Sequence, residues 1–340
     1  MNIGEFELIG RIAESAAPAA RFETGIGDDA AVIRTRGRIV TSVDTAVAGV
    51  HFGADRPAAE SARKAVASAM SDLAAMGLGR GETELLVALG APPGTDREYL
   101  EGLADGVLAA AEEFGAELAG GDVVGSPTVF LSVTAIAHVD DGTPVVTRSG
   151  ARPGDVVAVT GAVGGAAAGL ELLRGLEVPD LSDLSAGMLV SCQTSPDPAL
   201  SSAPVLAAAG VNAMIDVSDG LAADLRHVAE ASGVTIRIEA DQVPVLQGVP
   251  EVADALGREP VEFALTGGED YVLALTVPEE RFREADDAVV AATGFELAAI
   301  GEVVEGEPGG DPVEIILDGQ RLDPGRGGHD HFGGPASPGR

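Results

Sequence analysis

Seven aspartates stand where the sequence pattern predicts buried backbone or a tight glycine turn. They are Asp28 and Asp29 in "GIGDDA", Asp44 after "IVTSV", Asp72 on the apolar face of a helix, Asp122 in "AGGD", and Asp216 and Asp219 in "MIDVSDG". A buried carboxylate is costly unless it is paired with a cation or holds a metal. Basic partners are scarce, since 21 Lys and Arg face 54 Asp and Glu. The set therefore favours a hard divalent cation, and Mg²⁺ also binds substrate phosphates.

Each acid also has a simpler interpretation when it is taken alone. Asp219 could cap the helix that follows it, and Asp28 could form an Asx turn. The occurrence of several acids in glycine-flanked turns is what favours metal binding over these alternatives.

The segment Gly25–Ala30 also fits G-x-G-x-x-A, a form of the dinucleotide-binding fingerprint. That fingerprint needs a helix directly after it to receive a pyrophosphate, but "AAVIRTRGRIVTSV" is typical of strand, turn and strand. Two carboxylates would also repel the pyrophosphate. Nucleophilic motifs are equally weak, because Cys192 has no histidine nearby in sequence and "TGAVGGAAAG" lacks the lysine of a phosphate-binding loop.

The elements that must position these acids alternate between strand and helix patterns. Strands are predicted at 38–47, 83–92, 127–139 and 156–160, helices at 3–15, 58–77 and 96–115, and two strands around a turn at 262–278. This order predicts an α/β or α+β protein with mixed sheets. A Gly, Arg and Pro-rich stretch at 148–161 suggests a boundary. We expect domains at 1–147 and 148–334, with 335–340 as a disordered tail.

Composition limits the partners and the location. A net charge of −33 argues against nucleic acid and anionic membrane surfaces. No apolar run approaches the ~20 residues that span a bilayer. The acidic start "MNIGEFELIGRIAES" does not fit a signal peptide, and one cysteine cannot form an intrachain disulfide. We expect a soluble, cytoplasmic protein.

Ordered motifs along the chain point to one family. They are "GIGDDAAVI", "TSVDTAVAGVHF", "SDLAAMG", "AGGD", "TRSGARPGDVVAVTG", "IDVSDGLAADLRH" and "LTGGEDYVL". The chain resembles the thiamine-monophosphate kinase family of the aminoimidazole ribonucleotide synthetase-like superfamily, from Gly4 to near Gly334. The resemblance implies two α/β domains, with the N-terminal sheets of two subunits paired in a homodimer and ATP bound across the N-terminal domains. It also implies that ATP and thiamine monophosphate give ADP and thiamine diphosphate.

The resemblance also implies roles for individual residues. The magnesium ligands would be Asp28, Asp29, Ser42, Val43, Asp44, Asp72, Asp122, Asp216 and Asp219, with Val43 standing where the family often has Thr. If the ligand at this position is the backbone carbonyl, valine changes nothing, whereas a needed hydroxyl would be lost. Gly120, Gly121, Arg148 and Ser218 would contact ATP, and His51, Glu269 and Phe332 would contact thiamine monophosphate.

No catalytic acid or base is expected, because the attacking phosphate oxygen is already anionic. Several Mg²⁺ ions would offset the repulsion between two polyanions, in a direct in-line transfer without a phosphoenzyme. His51 could instead be structural, Glu269 a turn acid, and Phe332 a packing residue. The alternative functions are another ATP-using member of the superfamily, or a non-catalytic scaffold that binds Mg²⁺ and nucleotide.

Overall fold

The computed structural model describes residues 11–12, 14–15, 22–24, 32–33, 37–307 and 309–322. Within these ranges, no helix is both long and apolar enough to cross a membrane. The chain packs into two compact units. The first unit comprises Met1–Val146 with Thr194–Ala209, and the second comprises Thr147–Gln193 with Gly210–Arg340.

Strands and helices alternate through the described ranges. The strands are β1 Phe22–Thr24, β2 Val32–Ile33, β3 Arg38–Val47, β4 Thr83–Ala91, β5 Ala116–Gly125, β6 Phe130–Val139, β7 Asp155–Val159, β8 Ala213–Asp216, β9 Val234–Glu239, β10 Leu273–Pro278, β11 Ala298–Glu305, β12 Val313–Leu317 and β13 Gln320–Leu322. The helices are α1 Ala58–Ala75, α2 Arg97–Phe114, α3 Gly165–Leu173, α4 Asp183–Thr194, α5 Ala203–Ala209, α6 Leu221–Ser232, α7 Val249–Ala255, α8 Pro260–Thr266 and α9 Glu279–Thr293. The predicted strand at 38–47 and the helices predicted at 58–77 and 96–115 are confirmed as β3, α1 and α2.

The first unit contains a four-stranded sheet in the order β3-β6-β4-β5. β4 and β5 are parallel, whereas β6 is antiparallel to both β3 and β4. α1 packs against β3 and β6 and so covers one face of the sheet. Because side chains alternate along a strand, Ser42 and Asp44 project from this helix-covered face with the buried Val133. Thr41 and Val43 project from the opposite face, which we call the open face.

Small residues bring α1 and α2 close together. A Cβ placed on Gly106 of α2 would lie only 2.8 Å from the Cβ of Ala62 on α1. Ala62 is fully buried, and Met70 and Leu73 of α1 fill the core beside it. Because α1 is fixed on both sides, by α2 and by the sheet, the direction of each of its side chains is also fixed.

The second unit contains a seven-stranded sheet in the order β13-β12-β9-β11-β7-β10-β8. Only β12 and β9 are parallel neighbours in this sheet, so both larger sheets are mixed, which confirms the predicted class. Its core includes the fully buried Val157, Leu225 and Ile236. Leu273 of β10 pairs with Asp216 of β8. The pairing brings together two motifs that lie about 50 residues apart in the sequence.

The prediction of two strands in "EFALTGGEDYVLALTVP" is wrong for its first half. That half forms the helix α8, which Pro260 begins, and only β10 is a strand. Proline is favourable in the first turn of a helix because its missing N–H would have no intrahelical partner there. Phe263, Ala264 and Leu265 then bury successive sides of a short helix, which a strand with alternating exposure would not allow.

Candidate active site

Two carboxylates and a hydroxyl lie where β3 faces α1 in the first unit. Ser42 Oγ donates a hydrogen bond to Asp72 Oδ2. Asp44 projects from the same face of β3 two residues further on, and its Oδ1 accepts a hydrogen bond from the Thr45 N–H at 2.7 Å. Carboxylate and hydroxyl oxygens are the hard donors that Mg²⁺ prefers. The structure therefore places three of the predicted metal ligands in one part of the first unit.

Val43 points away from these three residues. Its side chain projects from the open face and is 64% exposed. A threonine hydroxyl at this position would thus lie on the opposite side of the sheet from Ser42 and Asp72. The backbone carbonyl is the group of Val43 that remains a candidate ligand, and valine does not remove it.

A buried polar stripe runs along α1 toward Asp72. Lys64, Ser68 and Ser71 are 3%, 7% and 0% exposed, in a helix that is otherwise rich in alanine. Lys64 Nζ donates a hydrogen bond to the backbone carbonyl of His51 at 2.8 Å. Lys64 is not among the residues predicted from the sequence, although its spacing of eight residues from Asp72 places both on neighbouring parts of the same helix face.

His51 lies in the turn that follows β3, and its ring is oriented by the backbone. The Val47 N–H donates a hydrogen bond to His51 Nδ1 at 3.1 Å. A ring nitrogen that accepts a hydrogen bond carries no proton, so the neutral ring holds its proton on Nε2. His51 is therefore arranged to act as a hydrogen-bond donor through Nε2, which suits an anionic group.

Asp122 lies on β5, at the other edge of the same sheet. It pairs with Ala88, whose side chain projects from the open face. Asp44 is on β3, three strand spacings away, which amounts to roughly 14 Å. A single chain therefore does not bring Asp122 together with Asp44 and Asp72, because the two sets occupy opposite edges and opposite faces.

Packing requires only one of the two glycines that precede Asp122. A Cβ on Gly121 would lie 1.9 Å from the carbonyl oxygen of Val87, so the packing of β4 on β5 requires glycine there. The nearest atom to a Cβ on Gly120 would be Leu86 Cδ2 at 3.5 Å, an ordinary contact. Packing explains Gly121 and does not explain Gly120, which makes Gly120 the better candidate for close approach of a ligand.

In the second unit, the turn after β8 lies beside the turn before β10. The Glu269 N–H donates a hydrogen bond to the carbonyl oxygen of Ser218 at 2.8 Å, and the Tyr271 N–H donates one to that of Val217 at 2.9 Å. Gly268 makes this approach possible, because a Cβ there would lie 2.4 Å from the Ser218 oxygen. We call these two segments, residues 216–220 and 267–272, the paired turns. They place four predicted site residues close together: Asp216, Ser218, Asp219 and Glu269.

Asp224 organises the first of the paired turns. Its Oδ2 accepts hydrogen bonds from the N–H groups of Ser218, Asp219 and Gly220 at 3.0, 3.1 and 3.1 Å. Burial, with the negative charges of Asp216 and Asp219, raises the pKa of Asp224 to about 8. The alternative that Asp219 caps the helix after it is therefore wrong. Gly220 is the capping residue of α6, and Asp224 accepts a hydrogen bond from the Gly220 N–H.

The second of the paired turns carries Glu269 in an unusual backbone conformation. Glu269 and Tyr271 have φ angles of +66° and +53°, in the left-handed region that favours glycine. The Glu269 carboxylate accepts a hydrogen bond from Gln193 Nε2 at 2.8 Å, and Gln193 is 4% exposed. Backbone and side-chain contacts together therefore fix the direction of this carboxylate.

Asp270, next to Glu269, caps a helix. Its two carboxylate oxygens accept hydrogen bonds from the N–H groups of Gly164 and Ala166, at the start of α3, at 2.6 and 3.0 Å. Burial raises the pKa of Asp270 to about 7. Burial and the charge of Asp270 raise the pKa of Cys192 to about 11. A thiol with that pKa stays protonated at neutral pH, so Cys192 is unsuited to act as a nucleophile.

Several predicted residues are not brought together by the described structure. Asp28, Asp29 and Phe332 lie outside the described residues. In the part of the chain that is described, no three Asp, Glu, His or Cys side chains form a metal-ligand group. Arg148 is exposed and forms no ion pair with another described residue.

Comparison with known proteins identifies the family. The models for AIR synthase related protein match the chain in two parts, the N-terminal domain at residues 27–139 and the C-terminal domain at residues 152–311. Thiamine-monophosphate kinase from Mycobacterium tuberculosis is 37% identical over 342 residues, which cover 99% of this chain and 94% of that protein. The chain belongs to the thiamine-monophosphate kinase family.

Solved structures support the same assignment of fold. The thiamine-monophosphate kinase from Stenotrophomonas maltophilia is 32% identical with a TM-score of 0.79, covering 95% of this chain and 99% of that one. A complex described as AaThiL with AMPPCP and TMP is 30% identical with a TM-score of 0.74, covering 98% of this chain and 99% of the other. The expected two-part fold of the aminoimidazole ribonucleotide synthetase-like superfamily is confirmed.

Four polar residues that support the predicted thiamine-monophosphate kinase site were missed by the sequence analysis: Lys64, Gln193, Asp224 and Asp270. Asp224 and Asp270 lie inside quoted motifs, so their position could have drawn attention to them. Gln193 is different, because it lies 76 residues before its partner Glu269 and in no motif. Only the folded second unit shows that these two side chains meet.

Proposed function

We propose that this protein transfers the γ-phosphoryl group of ATP to thiamine monophosphate and releases thiamine diphosphate. Membership of the thiamine-monophosphate kinase family over nearly the whole chain supports this reaction. So does the related complex, which holds AMPPCP and TMP. The proposal rests mainly on the hydrogen bond between Ser42 and Asp72, with Asp44 beside Ser42 on the same face of β3. A phosphotransferase needs such a set of hard oxygen ligands to manage the charge of its substrates.

The proposed cofactor is Mg²⁺, in several ions. Its ligands would be Ser42, Asp44, Asp72, Asp122, Asp216 and Asp219, the backbone carbonyl of Val43, and Asp28 and Asp29 outside the described residues. The donor set fits, because all these groups offer oxygen and none offers nitrogen or sulfur. When bound, Mg²⁺ would offset the negative charge that keeps two phosphate-bearing substrates apart.

We further propose that ATP contacts Gly120, Gly121, Ser218 and Arg148. Packing within the chain does not require glycine at Gly120, so the glycine there can serve the close approach of a ligand. The exposed Arg148 would add a fixed positive charge for a phosphate oxygen, because its guanidinium makes no ion pair within the described ranges.

Thiamine monophosphate would be held by His51, Glu269 and Phe332. The Val47 N–H on Nδ1 of His51 leaves Nε2 as the hydrogen-bond donor, which suits a phosphate oxygen. Glu269 would face the cationic thiazolium ring, since opposite charges attract most strongly away from bulk water. Phe332, beyond the described residues, would offer an apolar ring face.

A homodimer with paired N-terminal sheets is also part of the proposal. Ile39, Val43 and Val124 are apolar residues in the first unit's sheet that are 51%, 64% and 42% exposed. Exposed apolar side chains on a sheet favour burial against a partner. Sedimentation velocity should report a particle of twice the chain mass, and a monomer at micromolar concentration would contradict this part.

The attacking phosphate oxygen of thiamine monophosphate is anionic at neutral pH, so no side chain has to remove a proton from it. The residues of this chain bind and orient the two substrates and exclude water. We propose in-line transfer without a phosphoenzyme. We also propose that the enzyme is cytoplasmic, since its single cysteine cannot form an intrachain disulfide.

The test is an assay of purified protein with ATP, Mg²⁺ and thiamine monophosphate, in which thiamine diphosphate is measured by chromatography. We expect turnover that requires all three components, and no radioactivity retained on the protein from γ-labelled ATP. ATP binding without turnover would instead favour a non-catalytic scaffold. Label bound covalently to the protein would contradict direct transfer.

A further inference from the structure

The carboxylate of Glu269 is held by a side chain from a different part of the second unit. Gln193, near the end of α4, donates a hydrogen bond from Nε2 to Glu269 Oε2 at 2.8 Å. Gln193 is 4% exposed, whereas Glu269 is only half-buried. A buried amide is costly unless it is hydrogen-bonded, so this contact anchors the glutamate from the protein interior outward.

The backbone of Glu269 is fixed independently of Gln193. Its φ of +66° is uncommon for a residue with a Cβ, and its N–H is bound to the carbonyl oxygen of Ser218 at 2.8 Å. With the main chain held in this way, the remaining freedom of the glutamate lies in its side-chain torsions. The hydrogen bond from Gln193 restricts those torsions and so sets the direction of the carboxylate.

The chemistry of the partner suits recognition of a cation. An amide donates a hydrogen bond without carrying charge, so Gln193 fixes the direction of the Glu269 carboxylate without placing a positive charge beside it. A lysine or arginine at position 193 would also orient the glutamate, but it would compete with a cationic ligand for the carboxylate.

We propose that Gln193 is a positioning residue for the cationic thiazolium half of thiamine monophosphate, acting through Glu269. This inference rests on the proposed contact between Glu269 and that substrate. Prior orientation of a binding group lowers the entropy lost when the ligand binds. Loss of Gln193 therefore weakens binding of thiamine monophosphate and leaves ATP binding and phosphoryl transfer largely unchanged.

The test compares Gln193→Leu with wild type in steady-state kinetics with both substrates. Leucine has a similar size and removes the donor. We expect KM for thiamine monophosphate to rise about tenfold, with kcat and KM for ATP within about twofold, the change that loss of one hydrogen bond to a charged group produces. Gln193→His, which keeps an N–H donor, should recover part of the loss.

The neighbouring Cys192 provides a check on local structure, since it is the only cysteine. Its rate of reaction with a thiol reagent should be the same in Gln193→Leu and wild type. A faster reaction combined with a fall in kcat, at unchanged KM for thiamine monophosphate, would show a merely structural role and overturn the proposal.

Glu269→Gln separates this inference from the function on which it rests. If Glu269→Gln raises KM for thiamine monophosphate and Gln193→Leu does not, the positioning role is refuted and the substrate contact stands. If neither variant changes that KM, the assignment of Glu269 fails and this inference fails with it. If both raise it, the double variant Gln193→Leu with Glu269→Gln should be no worse than Glu269→Gln alone, and additive effects would contradict action through Glu269.

Discussion

The acid set of the first unit and the paired turns of the second unit hold polar groups in place by different means. Ser42, Asp44 and Asp72 lie on a strand and a helix, and each side chain points where the period of its element directs it. Ser218 and Glu269 lie on turns that depend on the close approach of two backbones and on left-handed φ angles. Regular elements hold their ligands without added support, whereas the turns need buried polar residues around them.

The supporting residues show this difference directly. In the second unit, Asp224 accepts hydrogen bonds from three N–H groups of one turn. Asp270, in the other turn, caps α3, and Gln193 donates a hydrogen bond to Glu269. In the first unit, the Ser42–Asp72 contact joins the predicted ligands to each other. We therefore expect substitutions in the first unit to act mainly through the lost ligand, and substitutions that move the paired turns of the second unit apart to act through both structure and activity.

The largest effect is expected in the first unit, from Asp44→Asn. Replacing a carboxylate ligand with an amide removes one negative charge from the proposed metal site, and about 3 kcal/mol of lost transition-state stabilisation corresponds to a fall of roughly 100-fold in kcat/KM. The melting temperature should change little, because Asp44 lies on a regular strand. Asp141→Asn, at an exposed position in the turn after β6, removes the same charge and is the matched control that should retain activity. Equal losses in both variants would mean that the position of Asp44 on β3 does not matter.

An intermediate effect is expected in the second unit, from Gly268→Ala. The added Cβ would lie 2.4 Å from the carbonyl oxygen of Ser218, so the paired turns must move apart. We expect a loss of about 2 kcal/mol in the free energy of unfolding, measured with urea, and roughly tenfold lower kcat/KM. Gly187→Ala, on α4 with no atom within 4 Å of the added Cβ, should instead stabilise the protein by about 0.5 kcal/mol. A Gly268→Ala variant as stable as wild type would remove the distinction between the two regions.

The smallest effect on kcat/KM is expected from Asp270→Asn, which acts on the pH dependence of stability. Burial raises the pKa of Asp270 from 3.8 to about 7, so between these values the folded chain holds a proton that the unfolded chain has lost. The contribution of this group is therefore greatest below pH 3.8 and falls as the pH rises to about 7, by at most about 1.4 kcal/mol per pH unit.

The asparagine variant cannot titrate at this position, so its melting temperature should fall less steeply than that of wild type between pH 4.5 and 7.5. Asp287→Asn, on the exposed surface of α9, serves as the control for the loss of one charge. Parallel curves for Asp270→Asn and wild type would show that Asp270 is ionised throughout this range.

Sequence reasoning predicted the elements of the first unit well because their patterns are strong. The alternation in β3 and the 3.6-residue period in α1 are visible in the residue pattern, and they place Asp44 on a strand and Asp72 on a helix, as the structure does. The error at α8 has a physical cause. In a seven-residue segment, buried Phe263, Ala264 and Leu265 fit either a helix or a buried strand, and only packing distinguishes the two.

Residue types and local order in the sequence were enough to identify the family and the mixed α/β class, and to predict a set of acids for the candidate site. Which of those residues meet depends on the tertiary structure. It joined Ser42 to Asp72, set Asp122 at the far edge of the sheet, and brought Gln193 to Glu269 across 76 residues. Strand pairing and helix packing are contacts between distant segments, so they fix side-chain neighbours that no local pattern encodes.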